Sequence, residues 1–217
     1  MGVHVIDHPL AQAVLTTLRD KNTDIAEFRR NLETAGRILG MEIVKNLDFE
    51  KVEVETPLGV KAEGIRISNM DKVVIISVLR AAVPLVHGLI DIFPRAREGF
   101  IGAKRIESEV GEKGKMEFPV RVSYVNIPQF SREGIVIVAD TMFATGSTMV
   151  AVLNEVLKRG KPKKLIISTV VSTPLAIRKI LRRYPNAEIY TLAIDAKLNE
   201  RGYIVPGLGD AGDRAFG

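Results

Sequence analysis

The chain has 217 residues, enough for one well-packed domain with an appendage, and its 46% hydrophobic and 26% charged content is that of an ordinary globular protein. It contains no Cys, which excludes disulfides, thiolate zinc sites and cysteine nucleophiles and is compatible with a cytoplasmic setting. The net charge of +5 and pI of about 9.4 favour polyanionic partners: nucleotides, phosphorylated sugars or nucleic acid.

In chain order, the opening residues lack a basic segment followed by an apolar one, so no secretory signal is expected, and no apolar run reaches membrane-spanning length. A first helix is expected from Pro9, which suits the first helical position, with Leu10, Val14 and Leu18 at i, i+4 and i+8. A second follows Asp24. Asp24 and Glu27 have N-cap and N3 spacing, and Ile25, Phe28, Leu32, Ala35 and Leu39 trace an apolar face. Val52 and Val54 then alternate with charges, Pro57-Leu-Gly59 reads as a turn, and Ile65 and Ile67 resume the alternation. That pattern predicts a hairpin with one wet face.

From residue 73 the texture changes. Residues 73–79, 135–139, 165–171 and 189–194 are near-continuous apolar runs, the signature of strands covered on both faces. Helical patterns separate several of them, at about 84–92, 147–158 and 174–183. The fold class predicted is α/β: a central, mostly parallel sheet flanked by helices, with right-handed crossovers and ligands beyond the carboxyl ends of the strands. Within residues 102–131, a polar, turn-rich stretch from Glu107 to Lys115 joins two strand-like segments. It predicts an exposed hairpin arm, serving as a lid or a dimer contact. The densest basic stretch, Lys158 to Lys164, reads as a solvated helix C-terminus. No aromatics are interleaved there for base stacking, so nucleic acid ranks below. The tail, residues 202–217, is glycine-rich but holds Ile204, Val205, Leu208 and Phe216, and is expected to be packed.

Chemistry concentrates where the run from Ile135 ends in Asp140. A loop of small and hydroxyl residues follows, and then a helix-like segment. This order puts a carboxylate at a strand tip and aims backbone N–H groups of residues 144–148, with the hydroxyls of Thr145, Ser147 and Thr148, at whatever lies above the helix. A helix N-terminus favours anions. Asp140 can accept from two vicinal hydroxyls, as a ribose offers. The loop is neither a Walker P-loop nor GxGxxG, and a plain strand-to-helix turn with Asp140 as a local cap is the competing reading. His4, His8 and His87 are too scattered for a metal site and read as packing residues, and Asp195 and Glu200 read as structural.

The stretch Asp140-Thr-Met-Phe-Ala-Thr-Gly-Ser-Thr148 resembles the phosphoribosyl pyrophosphate (PRPP) signature of type I phosphoribosyltransferases. Ala139 precedes a single acid, which narrows the resemblance to uracil phosphoribosyltransferases. Thr141, Phe143, Ser147 and Thr148 depart from that family's usual form, with Ser147 standing where Gly is usual. Val78-Leu-Arg80-Ala-Ala-Val-Pro84 is similar to the family's diphosphate turn, Arg105 to its arm arginine with Lys104 beside it, and Gly202-Tyr-Ile-Val-Pro-Gly-Leu-Gly-Asp-Ala-Gly-Asp213 to its uracil-binding stretch. His8-Pro-Leu and Phe28-Arg29 also fit, so the resemblance covers nearly the whole chain.

The resemblance implies transfer of phosphoribose from PRPP to uracil, giving UMP in pyrimidine salvage. PRPP would be bound by Arg80, Arg105, Asp140, Thr141, Met142, Phe143, Ala144, Thr145, Gly146, Ser147, Thr148 and Asp210. Uracil would be bound by Ile204, Gly209, Asp210 and Ala211. Magnesium (Mg2+) would be held mainly by the substrate diphosphate, with Asp210 acting through water. GTP and CTP are implied as regulators at Arg30, Asn31, Leu32, Glu33 and Thr34, and a homo-oligomer, dimer or tetramer, as the assembly. Two alternatives stand beside this: the same fold acting on hypoxanthine or orotate, and an RNA-binding regulator of a pyrimidine operon built on the fold.

Overall fold

In a computed structural model of the chain, residues 2–106 and 118–217 are described, and the expected arm tip from Glu107 to Lys115 lies outside them. The elements run β1 (Val3–Val5), α1 (Pro9–Arg19), α2 (Ile25–Val44), β2 (Phe49–Glu55), β3 (Lys61–Ile67), β4 (Val73–Leu79), α3 (Val83–Ile92), β5 (Arg97–Arg105) and β6 (Val120–Asn126). They continue with β7 (Ile135–Phe143), α4 (Ser147–Leu157), β8 (Lys164–Ser172), α5 (Pro174–Arg183), β9 (Ala187–Ile194), β10 (Lys197–Leu198), β11 (Ile204–Val205) and α6 (Ala211–Phe216).

Among the described residues the central sheet has seven strands in the order β1-β9-β8-β7-β4-β5-β6. Every neighbouring pair is parallel except β5 with β6. The apolar runs split by alternation, since successive side chains leave a strand on opposite faces. Val73, Ile75, Ile135, Ile137 and Tyr190 pack with α1, α2 and α3. Val74, Ile76, Val136, Val138 and Ile167 pack with α4 and α5. Two cores sandwiching one sheet explain why these strands read as continuous rather than alternating.

The helices begin where their caps predict. The Glu27 N–H donates to Asp24 Oδ1 at 2.7 Å, and Pro9 opens α1. His8 is the N-cap of α1, its Nδ1 accepting from the Leu10 N–H at 3.1 Å, so it acts as a cap rather than as packing. His4 does pack, its ring stacked on Tyr190 at 4.3 Å. The buried stripe of α1 is Ala11, Val14, Leu15 and Leu18; Leu10 is 50% exposed, so the stripe is rotated relative to the one expected. Ile25 is likewise exposed at the first turn of α2.

Three further differences from expectation have physical causes. β1 has no signature in the sequence, because three residues are too short to display a period; it adds to the sheet edge by pairing with β9. The β2–β3 hairpin is wet on both faces rather than one. It pairs in its own two-stranded sheet, with Phe49, Val54, Val60, Ile65 and the turn residue Leu58 all exposed. In the tail, Ile204 and Leu208 are buried as expected, whereas Val205 and Phe216 are exposed.

Candidate active site

β7 is longer than its apolar run. It pairs with β4 only as far as Ser77 opposite Ala139, but continues beside β8 to Met142 opposite Val171 and Phe143 opposite Ser172. Asp140 is therefore inside the strand rather than at its tip. It is the first residue beyond the last β4 pairing, at an edge that β4 no longer covers. From here β4 leads outward to β5, whereas β7 leads the other way to β8, so the strand order reverses between them. A cleft is expected at such a switch point. A cavity of about 720 Å³ occupies it, bordered by Arg80, Lys104, Arg105, residues 140–146 and Thr148, and roofed by Ile204, Gly209, Asp210 and Ala211.

The floor is the short connection from β7 to α4. Gly146 adopts φ 78°, the left-handed conformation that Gly tolerates, and α4 starts immediately after it. Thr173, the N-cap of α5, holds this loop from beneath. Its hydroxyl donates to the Ala144 carbonyl at 2.5 Å and accepts from the Ala176 N–H at 3.1 Å, while its N–H donates to the Phe143 carbonyl at 3.1 Å. The loop is thus preorganised, with the N-terminus of an eleven-residue helix opening toward the cavity.

Ser147 is the exception among the loop residues: it does not border the cavity. Its buried Oγ accepts from the Phe118 N–H and from Lys179 Nζ, each at 3.4 Å, and lies 3.3 Å from Thr145 Oγ1. The left-handed angle falls on Gly146 and not on Ser147, which is why a side chain fits here. Ser147 thereby braces Thr145, which does border the cavity.

Burial pushes the Asp140 carboxyl up to about 7 from its ordinary 3.8, against the opposing effects of the Met142 and Thr141 N–H groups and the Arg105 charge. Arg80 reaches across the cavity mouth, Nη2 lying 3.5 Å from Asp213 Oδ1, with both side chains exposed. An exposed pair at that length holds weakly and is readily exchanged for a better anion. The Arg105 guanidinium lies near two rings, 5.3 Å from Phe118 and 5.4 Å from Tyr203, and donates to the Gly202 carbonyl at 3.3 Å. It therefore links the arm's base to the tail.

The tail forms a small hairpin, β10–β11, followed by α6. Asn199 organises the hairpin tip, its Oδ1 accepting from the N–H groups of Arg201 at 3.0 Å and Tyr203 at 2.9 Å. Asp210 caps α6, its Oδ1 accepting from Gly212 N–H at 2.9 Å and Asp213 N–H at 3.0 Å. Arg214 fastens the segment to the end of α1. It donates to the carbonyls of Leu18, Leu208 (2.9 Å) and Asp20 (2.6 Å), with its guanidinium 4.2 Å from the Phe28 ring centre.

Sequence reasoning missed Thr173, whose role depends on two elements meeting, and Asp213 and Tyr203, which border the cavity within the tail motif already singled out. Arg30, Asn31, Leu32, Glu33 and Thr34 lie on α2 and do not border the cavity. Leu32 is fully buried in the core, Asn31 and Thr34 bond to their own helix, and Glu33 lies near Arg37 and His87. Among the described residues no three side chains of metal-ligating type cluster. Asp140, Asp210 and Asp213 border the cavity without forming such a cluster, a donor set that fits a hydrated magnesium ion only where a polyphosphate supplies most of its ligands.

The basic stretch runs from the end of α4 to the first residue of β8, and only its start is a helix C-terminus. Lys158 pairs with Glu155, Lys163 with Asp48 and Lys164 with Glu188. No helix among the described residues is long and apolar enough to cross a membrane.

Comparison with known proteins gives a consistent result. Residues 5–217 match a family described as "Uracil phosphoribosyltransferase". A uracil phosphoribosyltransferase of Pyrobaculum arsenaticum is 52% identical over 216 residues, covering 100% of this chain and 99% of that one. The solved structure of the AQ2163 protein from Aquifex aeolicus superposes with a TM-score of 0.86 at 31% identity, covering 99% of this chain and 97% of that one. An adenine phosphoribosyl transferase from Trypanosoma brucei shares the fold at a TM-score of 0.57 and 14% identity, covering 88% of this chain and 83% of that one.

Proposed function

The chain belongs to the uracil phosphoribosyltransferase family, and we propose that it joins uracil to the phosphoribosyl group of PRPP, releasing diphosphate and UMP, in the cavity between β4, β7 and the C-terminal segment. The observation that supports this reading is the meeting, around one cavity, of residues 140–146 and Thr148, of Arg80 and Arg105, and of Ile204, Gly209, Asp210 and Ala211, which come from separate segments of the chain. The loop at residues 144–148 would hold the 5′-phosphate and Asp140 the ribose hydroxyls. Arg80 and Arg105 would take the diphosphate, which a guanidinium grips bidentately. Ile204, Gly209 and Ala211 would read uracil through main-chain groups, which complement its acceptor–donor–acceptor edge.

Glycosyl transfer of this type passes through an oxocarbenium-like state. Catalysis then rests on holding the two reactants in line and stabilising the leaving group. Magnesium, when bound, would neutralise charge on the diphosphate. It would be held mainly by the substrate diphosphate, with Asp210, through a water, and Asp213 as the carboxylates the protein could offer. The Oδ1 of Asp210 is already engaged in capping α6, so a water bridge would use the other oxygen.

The test is UMP formation from uracil and PRPP, run beside hypoxanthine and orotate and beside RNA binding at moderately high salt. UMP as the dominant product supports the reading; a purine or orotate product, or RNA binding without UMP, replaces it. Arg80→Ala is expected to raise KM for PRPP by about tenfold or more with a small effect on uracil, because the variant loses charge-assisted bonds to one substrate only. A normal KM for PRPP would remove Arg80 from the site.

The same reading extends to regulation and assembly. GTP and CTP would act from α2, where Arg30, Asn31, Glu33 and Thr34 lie outside the cavity; repeating the UMP assay with each nucleotide checks it. A homo-oligomer is supported by the β2–β3 hairpin, whose exposed Phe49, Val54, Val60 and Ile65 call for a covering surface.

A further inference from the structure

A pocket that reads a base through main-chain groups is only as exact as the contacts that pin that main chain. The tail turn from Ile204 to Gly207 is tight: Gly207 has φ 57°, and a Cβ there would lie 2.3 Å from the Ile204 carbonyl oxygen. Asp195, just past the end of β9, holds the far side of this turn. Its Oδ2 accepts from the Gly207 N–H at 2.9 Å and its Oδ1 from Arg19 Nη2 at 2.8 Å. Its own N–H donates to the Ser172 carbonyl at 2.9 Å. Asp195 is 8% exposed, so its carboxylate oxygens are bonded by these partners rather than by bulk water.

One residue therefore joins three parts of the fold: its carboxylate holds the end of α1 through Arg19 and the roof through Gly207, and its backbone N–H ties it to the end of β8. The sequence alone gave it no such role. We infer that Asp195 is a positioning residue for the base. By fixing Gly207 it fixes the Ile204 main chain at the cavity roof, and so sets affinity for uracil without touching it. This rests on the tail being the uracil site. Arg214 holds the adjoining residue, Leu208, through its carbonyl, so loss of Asp195 loosens the roof rather than detaching it.

Steady-state kinetics of Asp195→Ala, Asp195→Asn and Arg19→Met, with both substrates varied, test the inference. Asp195→Ala is expected to raise KM for uracil about tenfold while KM for PRPP stays within about twofold, since the phosphate loop lies on β7 and α4. Asp195→Asn retains an acceptor for the Gly207 N–H, so its KM for uracil should fall between those of wild type and the Ala variant. Arg19→Met leaves the Gly207 bond in place and should raise the uracil KM less than Asp195→Ala does. Equal rises in both KM values, or an unchanged uracil KM in a folded Asp195→Ala protein, would overturn the inference. If the Ala variant does not fold, an unchanged uracil KM in Asp195→Asn and Arg19→Met together overturns it. If wild type makes no UMP, the functional reading itself has failed; if it does and the split is missing, this inference alone has.

Discussion

Asp140→Asn is expected to lower turnover by about 10²- to 10⁴-fold and, at the same time, to make the protein more stable. Both effects follow from one placement. β7 carries Asp140 past its last pairing with β4, into a cleft that burial partly dries, and the carboxyl rises to about 7 from its ordinary 3.8. The neutral form is favoured in the folded chain, so the ionised form opposes folding. A carboxyl raised in this way contributes stability fully at pH below its unfolded value, and that contribution is lost as pH climbs toward and through about 7. Asn removes the penalty and keeps the shape. The gain at pH 8 should be about 1–2 kcal/mol, since the group keeps some contact with solvent, and it should shrink by pH 5. Denaturation of both proteins at the two pH values checks the sign; an equal gain at both would sink the electrostatic account.

The activity loss has the same origin. An ionised Asp140 can accept from two ribose hydroxyls, whereas the Asn amide offers only one oxygen. Wild-type kcat/KM for PRPP should therefore fall as pH drops below about 7, where the free enzyme's Asp140 takes up its proton. A profile flat from pH 5.5 to 8 would detach Asp140 from the step.

Much of this site was legible because its parts are contiguous in sequence. The apolar run before Asp140, the hydroxyl loop and the tail motif each announce themselves within about a dozen residues. The strands were legible because two-sided burial leaves no alternation to misread. What escaped depends on contacts across the fold. β7 extends to Phe143 because β8 continues beside it, not because Thr141 and Met142 are strongly apolar. Ser147 turns away from the cavity because Phe118, Lys179 and Thr145 surround its hydroxyl, which no local pattern encodes. Leu10 and Ile25 fit a periodic stripe and are nevertheless exposed, because period fixes a helix's spacing but not its rotation against the sheet. The hairpin β2–β3 has the alternation of a half-buried ribbon without a core under it in the single chain.

The second large effect lies away from the chemistry. Gly88→Ala, in α3, is expected to destabilise the protein by about 2–4 kcal/mol, at or beyond the upper end of ordinary overpacking. A Cβ at Gly88 would lie 1.8 Å from the Glu33 carbonyl oxygen and 2.9 Å from the Arg37 nitrogen, and one at Gly36 would lie 2.1 Å from the Leu85 carbonyl oxygen. These are backbone atoms, so no rotamer change relieves the clash and α2 must move away from α3. Ala is the better helix former by about 1 kcal/mol, which would favour the substitution if the site were open. The clash exceeds that preference, and its sign can be checked against Gly64→Ala on the exposed hairpin, where the nearest atom is 4.0 Å away. Urea denaturation should show the large loss only at Gly88, and a loss below about 0.5 kcal/mol there would refute the close crossing. Because α3 follows directly on the turn that carries Arg80, a displaced α3 should also weaken PRPP binding more than uracil binding. A stability loss with both KM values unchanged would mean that the Arg80 turn is held by β4 alone.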